Sequence, residues 1–121
     1  MKSKLLALAA IMAIFFFTSC KKEHSEAQLT FTNNIAEGTA DASGEYTITG
    51  HISSTVRLDR VTLTKEWSTK PFLVDDATAK NKTEYDFAYL VKDIKANTFI
   101  VIDVYDQAGG EISRRFLVRI P

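Results

Sequence analysis

From Leu29 to the end of the chain, apolar residues recur at every second position between polar or glycine-containing interruptions. That alternation is the pattern of a strand with one face buried. Leu29 and Phe31, extended to Ile35, predict a short first strand. Residues 36–45, rich in Ala, Gly, Asp and Ser, predict a loop. Tyr46, Ile48, Gly50 and Ile52 then share one side of a second strand, with Thr47, Thr49, His51 and Ser53 on the other. Leu58, Val61 and Leu63, interleaved with Arg60, Thr62 and Thr64, make a third that Trp67 ends. Past Pro71, Phe72-Leu73-Val74 predicts a short edge strand. Residues 75–83 predict a polar loop with one helical turn capped by Asp75. Tyr85, Phe87, Tyr89 and Val91 form an aromatic stripe at period two, read as core. Residues 99–105 are apolar on both faces apart from Asp103, which predicts a central strand covered on both sides. Gly109-Gly110 marks a hairpin. The last strand places Ile112, Phe116, Val118 and Ile120 opposite Ser113, Arg115, Leu117 and Arg119.

The start of the chain follows another rule. Lys2 and Lys4 precede a thirteen-residue apolar run, Leu5 to Phe17, and then Thr18, Ser19 and Cys20. A positive flank, a short apolar run and small residues describe a secretory signal peptide. The run is too short for a membrane span, which needs about 20 apolar residues. Cys20 is the sole cysteine, so no disulfide can close within the chain. Phe17-Thr18-Ser19-Cys20 resembles the bacterial lipobox, and the continuation Thr-Ser-Cys-Lys-Lys is similar to lipoprotein signals of Bacteroidota. The resemblance implies cleavage before Cys20 and lipidation of Cys20, with palmitate-type acyl chains. Two or more chains anchor stably where one is marginal. The expected organisation is a signal peptide at 1–19, a lipidated flexible tether at 20–28 and one domain at 29–121. The expected location is the bacterial cell envelope, tethered to a membrane, the outer one for preference. Lys21 and Lys22 precede Glu23 and Glu26, so no acidic cluster chooses between the periplasmic and surface faces.

Composition bounds the rest. Of 121 residues, 45% are apolar and 25% charged, which excludes a disordered chain. Without residues 1–19 the charge is 13 basic against 15 acidic, a net of −2, unlike a nucleic-acid binder. Six or seven short strands with turns near every ten residues predict an all-β, antiparallel β-sandwich. Residues 99–110, Phe-Ile-Val-Ile-Asp-Val-Tyr-Asp-Gln-Ala-Gly-Gly, followed by Phe116-Leu117-Val118-Arg119-Ile120, resemble the final hairpin of bacterial immunoglobulin-like domains. The resemblance implies an immunoglobulin-like sandwich; such a fold hosts many roles.

Candidate chemistry is sparse. His24 and His51 are the two histidines, and no Cys/His cluster exists for zinc. Asp75-Asp76, or Asp103 with Asp106, carry oxygens suited to calcium, but Asp103 is expected to pair with Arg115 across strands. No Gly-x-Ser-x-Gly elbow, phosphate loop or dinucleotide fingerprint occurs. No catalytic residue, metal or cofactor is expected, and the chain reads as a non-enzyme. Asn81-Lys82-Thr83 is a glycosylation sequon without meaning in a bacterial lipoprotein. Two surfaces are candidates for binding. Phe99, Val101, Tyr105 and Leu117 share one face, either an exposed apolar patch for another envelope protein or a face that is covered. Trp67 with Phe72 is either a sugar-stacking platform or, the expected outcome for Trp67, ordinary core packing. The partner is accordingly an envelope protein or, alternatively, a glycan of a polysaccharide-uptake system.

Overall fold

The computed structural model describes residues 27–121; residues 1–19, expected to be a signal peptide, and Cys20 and residues 21–26 of the expected tether lie outside them. The domain is a two-sheet β-sandwich of eight strands. These are β1 (Gln28–Phe31), β2 (Glu37–Thr39), β3 (Tyr46–Ser53), β4 (Leu58–Lys65), β5 (Leu73–Asp75), β6 (Glu84–Val91), β7 (Thr98–Asp106) and β8 (Glu111–Arg119). One sheet has the order β1-β3-β6, the other β2-β8-β7-β4-β5. Ala27 is buried and β1 opens at Gln28, so the ordered domain takes in the last two residues assigned to the tether.

Alternation sets the core. Ile48 and Ile52 of β3, Phe87, Tyr89 and Val91 of β6, Ile100, Ile102 and Val104 of β7, and Phe116 and Val118 of β8 face inward and are buried. Leu58, Val61 and Leu63 of β4 join them. Their spacing changes phase between Leu58 and Val61 because a register shift between Leu58 and Arg60 interrupts the ladder with β7. An extra residue in one strand is what keeps all three side chains pointing inward. Each such side chain contributes roughly 1.5–3 kcal/mol by leaving water, and this burial holds the sheets together.

Several expectations change. Ile35 is not in β1; a single 3-10 turn, Thr32–Asn34, carries the chain to the other sheet and leaves Ile35 exposed. Residues 36–45 are not all loop, because Glu37–Thr39 pairs in parallel with Leu117, Val118 and Arg119 of β8. The sandwich therefore has eight strands, and one pairing is parallel. Ile120 lies beyond β8 and is exposed. Residues 76–83 hold no helix. β7 is central but not covered on both sides: Thr98, Ile100, Ile102, Val104 and Asp106 are buried, while Phe99, Val101, Asp103 and Tyr105 are half-buried.

The pairing gives the sandwich two poles. Gln28, where β1 begins, lies opposite Ser53 at the end of β3, and Ser53 lies opposite Glu84 at the start of β6. Leu58 at the start of β4 lies opposite Asp106 at the end of β7. The entry of the chain, residues 54–57, 76–83 and 107–110 thus share one pole. Residues 40–45, 66–72, 92–97 and the C-terminus share the other, as the bonds Ile94 N–H to Gly44 carbonyl and Ile120 N–H to Asn97 Oδ1 confirm. Strands of eight residues place the poles about 25 Å apart.

Candidate functional site

Trp67 is 64% exposed, which corrects the expectation that it packs in the core. The reason is local: β4 stops at Lys65, and the chain turns at once, with the Ser68 N–H bonded to the Lys65 carbonyl at 2.8 Å. The indole is thereby carried past the sheet edge. Ser68 Oγ also donates to the Lys70 carbonyl, and the Phe72 N–H returns to the Leu63 carbonyl at 2.9 Å. The turn is therefore held at both ends, and Trp67 stands on a fixed loop. Phe72, in the same loop, is 41% exposed, with the Lys65 ammonium 5.9 Å from its ring centre. Lys65 Nζ donates to the Lys92 carbonyl at 3.0 Å, tying this loop to residues 92–97.

Phe99, Val101, Tyr105 and Leu117 do share the outer face of the five-stranded sheet, Phe99 directly opposite Leu117. All four are half-buried. Arginines roof the aromatics: the Arg60 guanidinium lies 3.9 Å from the Tyr105 ring centre and that of Arg115 lies 4.2 Å from Phe99. Such stacking shields the ring faces and keeps the charge in water. Burial and the nearby Asp103 carboxylate push the Tyr105 hydroxyl pKa up. The face is thus apolar at its base and cationic at its top. Arg115 forms its ion pair not with Asp103 but with Glu66, at 3.8 Å; Asp103 lies opposite Ser113 and accepts its hydroxyl. The register corrects that expectation, since Arg115 faces Val101.

Three of the four carboxylates considered for calcium, those of Asp75, Asp103 and Asp106, are engaged in the fold. Asp75 accepts the Tyr89 hydroxyl at 2.7 Å, the Tyr85 hydroxyl at 3.1 Å, the Thr78 hydroxyl and the N–H groups of Ala77, Thr78 and Ala79. Burial pushes its carboxyl up, but the bonds from Tyr89, Thr78 and the loop N–H groups outweigh that and hold it down to about 2. The Tyr89 hydroxyl is pushed up, first by burial and then by this carboxylate. The expected helical turn is absent: Asp75 accepts the N–H groups of a non-helical loop, and through Tyr85 and Tyr89 it clasps β5 in one sheet to β6 in the other. Asp106 turns inward and caps the hairpin at Ala108 and Gly110, both at 2.8 Å, away from the outward Asp103. Among the described residues no three His, Cys, Asp or Glu side chains gather as a metal site.

Two features escaped the sequence. His51, on the outer face of the three-stranded sheet, lies between Asp86 at 2.7 Å from Nδ1 and Glu84 at 2.6 Å from Nε2. Only the pairing of β3 with β6 brings residues 35 and 33 positions apart together. A shallow recess of about 200 Å³ is lined by Thr32, Ile35, Glu37, Tyr46, Thr49 and Phe116. It is smaller than the roughly 300–1,000 Å³ of ordinary ligand pockets.

Comparison with known proteins reaches the fold. No protein-family model matches the chain, and no curated protein matches it. Among solved structures, the fibronectin(III)-like modules of Clostridium thermocellum CbhA are similar, with a TM-score of 0.55 and 16% identity over 82% of this chain. The chain spans 48% of that structure's length. At this identity the likeness shows the fold alone, an immunoglobulin-like β-sandwich of the fibronectin(III)-like kind.

Proposed function

We propose that the protein is a non-catalytic envelope lipoprotein of the Bacteroidota type, held to a bacterial membrane, the outer one for preference, through lipid on Cys20. Its domain binds a glycan at the pole opposite the tether. The observation that carries the glycan reading is the exposure of Trp67 on a pinned loop that also carries the exposed Phe72. A rigid aromatic surface stacks on the C–H face of a sugar with little entropy lost on binding. The described chain enters at the far pole, so a lipid at position 20 would join the domain at the end remote from Trp67.

Protein binding or envelope assembly is the second reading, and the arginine-roofed row Phe99, Val101, Tyr105 and Leu117 favours it. Aromatics and arginine are the residues enriched at protein interfaces. Fractionation tests the anchor: Cys20→Ala moves the protein from membranes to the soluble fraction, and a variant that stays membrane-bound refutes lipidation. Retention on immobilised polysaccharides that is lost in Trp67→Ala and kept in Arg115→Ala separates the two surfaces in favour of the glycan. The reverse pattern, with capture of an envelope protein, selects assembly.

A further inference from the structure

Resting on the glycan reading, we infer that the ligand of the Trp67 pole is an anionic polysaccharide whose sugar rings carry carboxylates. The two loops tied together at this pole, residues 65–72 and 92–97, carry Lys65, Lys70, Lys92 and Lys95 against Glu66 and Asp93. Lys70, Lys92 and Lys95 are exposed. Glu66 does not cancel them, because its Oε1 accepts the Phe99 N–H at 2.9 Å and its Oε2 faces Arg115 at 3.8 Å. Asp41, in the neighbouring loop, is likewise engaged, accepting the N–H groups of Ser43 and Glu45 at 2.9 and 3.0 Å. The two loops therefore carry a net of +2, four lysines against Glu66 and Asp93, beside Asp41 and Glu45 of the next loop. Residues 27–121 as a whole carry 11 basic against 13 acidic residues, so the positive balance of these two loops is a local departure.

The two parts suit one ligand. A uronic acid ring offers an apolar C–H face to the indole of Trp67 and a carboxylate at its rim to a lysine. Ammonium groups on flexible stems accept carboxylates without demanding one geometry, which suits a polymer whose rings differ in pitch. No pocket is required, because a polymer lies across a pole and gains from repeated weak contacts. Of the six large exposed apolar residues among those described, Trp67, Phe72 and Ile120 lie in the loops and C-terminus of this pole, Val74 and Leu90 in β5 and β6, and Ile35 just before β2; the loops of the tether pole carry none.

The test is titration calorimetry of the full chain with alginate, a polyuronate, and with dextran, a neutral glycan. Alginate binding is expected to weaken by about tenfold in Lys70→Gln/Lys92→Gln and with rising ionic strength. Trp67→Ala is expected to abolish it without lowering the melting midpoint. Equal binding of dextran, or binding indifferent to salt and to the lysines, overturns the anionic ligand and leaves the glycan reading standing. Failure to bind either polymer overturns both. Full alginate binding by Trp67→Ala overturns the assignment to this pole.

Discussion

The two poles of the sandwich are built differently. At the pole where the chain enters, loops bond to one another: Ser54 N–H to Thr83, Leu58 N–H to Lys82, Asn81 N–H to Leu58 and Gln107 N–H to Arg57. Gln107 Nε2 adds bonds to the Leu58 carbonyl at 3.0 Å and to Asn81 Oδ1 at 2.6 Å. At the other pole Ile94 and Gly44 hold the loops from beneath, and Trp67 and Phe72 stand out above them. Polar closure consumes donors and acceptors at the first pole, while the second keeps exposed aromatic surface on a fixed base.

The strongest way to probe the contrast compares a residue that serves both poles with one that serves only the free pole. Phe87 is 2% exposed and stacks on Tyr89 with ring centres 5.3 Å apart. Phe87→Ala is expected to destabilise the domain by about 3–5 kcal/mol through lost burial and the cavity left behind. Phe72→Ala, at an exposed site, is expected to stay within about 0.5 kcal/mol. Urea unfolding checks both. A large loss in Phe72→Ala means that the free pole is part of the core, and the contrast fails.

Asp75 comes next. Asp75→Ala leaves the buried Tyr89 hydroxyl and the loop N–H groups without their acceptor, at about 1–3 kcal/mol for each group stranded away from water. The sign with pH is fixed by the depressed carboxyl. Its stabilisation is fully present above the unfolded value near 3.9 and is lost as pH falls through the folded value of about 2. In Asp75→Ala that acid-sensitive part of the stability curve should flatten. Acid titration of the melting midpoint in both proteins measures it; parallel curves refute the clasp.

How much of this was legible in the chain follows from the range of the forces involved. Period-two burial in Tyr85–Val91 and Ile112–Val118 is a property of neighbouring residues, so the strands and most of the core could be read. β2 could not, because Glu37-Gly38-Thr39 has no apolar alternation and is a strand only through its parallel partner β8. The tight packing there is specific: the ring of Tyr46 occupies the space that a side chain at residue 38 would fill. Trp67 misled because a large aromatic usually seeks the core, while its place was decided by where β4 ends. The partners of Asp103, Arg115 and His51 depend on register across strands, which composition does not encode. Cys20 and its surroundings are legible only as a motif, and lie outside the described residues.

The smallest expected effect concerns the pole where the chain enters the sandwich. His51 faces Asp86, Glu84 and, across β1, Thr30, while Ser53 Oγ also donates to Glu84 at 3.1 Å. Both ring nitrogens can donate only when the imidazole is protonated. The bond to Asp86, then that to Glu84, raises the histidine pKa against the smaller opposing effect of burial. In return, His51 lowers the pKa of Glu84. A raised folded value gives stability that is complete below the ordinary histidine value of about 6.5 and is lost as pH rises through the folded value. Above it, two carboxylates remain beside a neutral ring at the end of β3 where the chain enters. The side chain is 42% exposed, so solvent screens the gain. The melting midpoint is expected to fall slightly from about pH 5 to about pH 8.5, a window bracketing the histidine titration, and His51→Gln should remove most of that slope. A histidine titration by proton NMR at or below the ordinary value would show that the carboxylates do not hold the charge, and that this pole owes its order to the backbone and glutamine bonds alone.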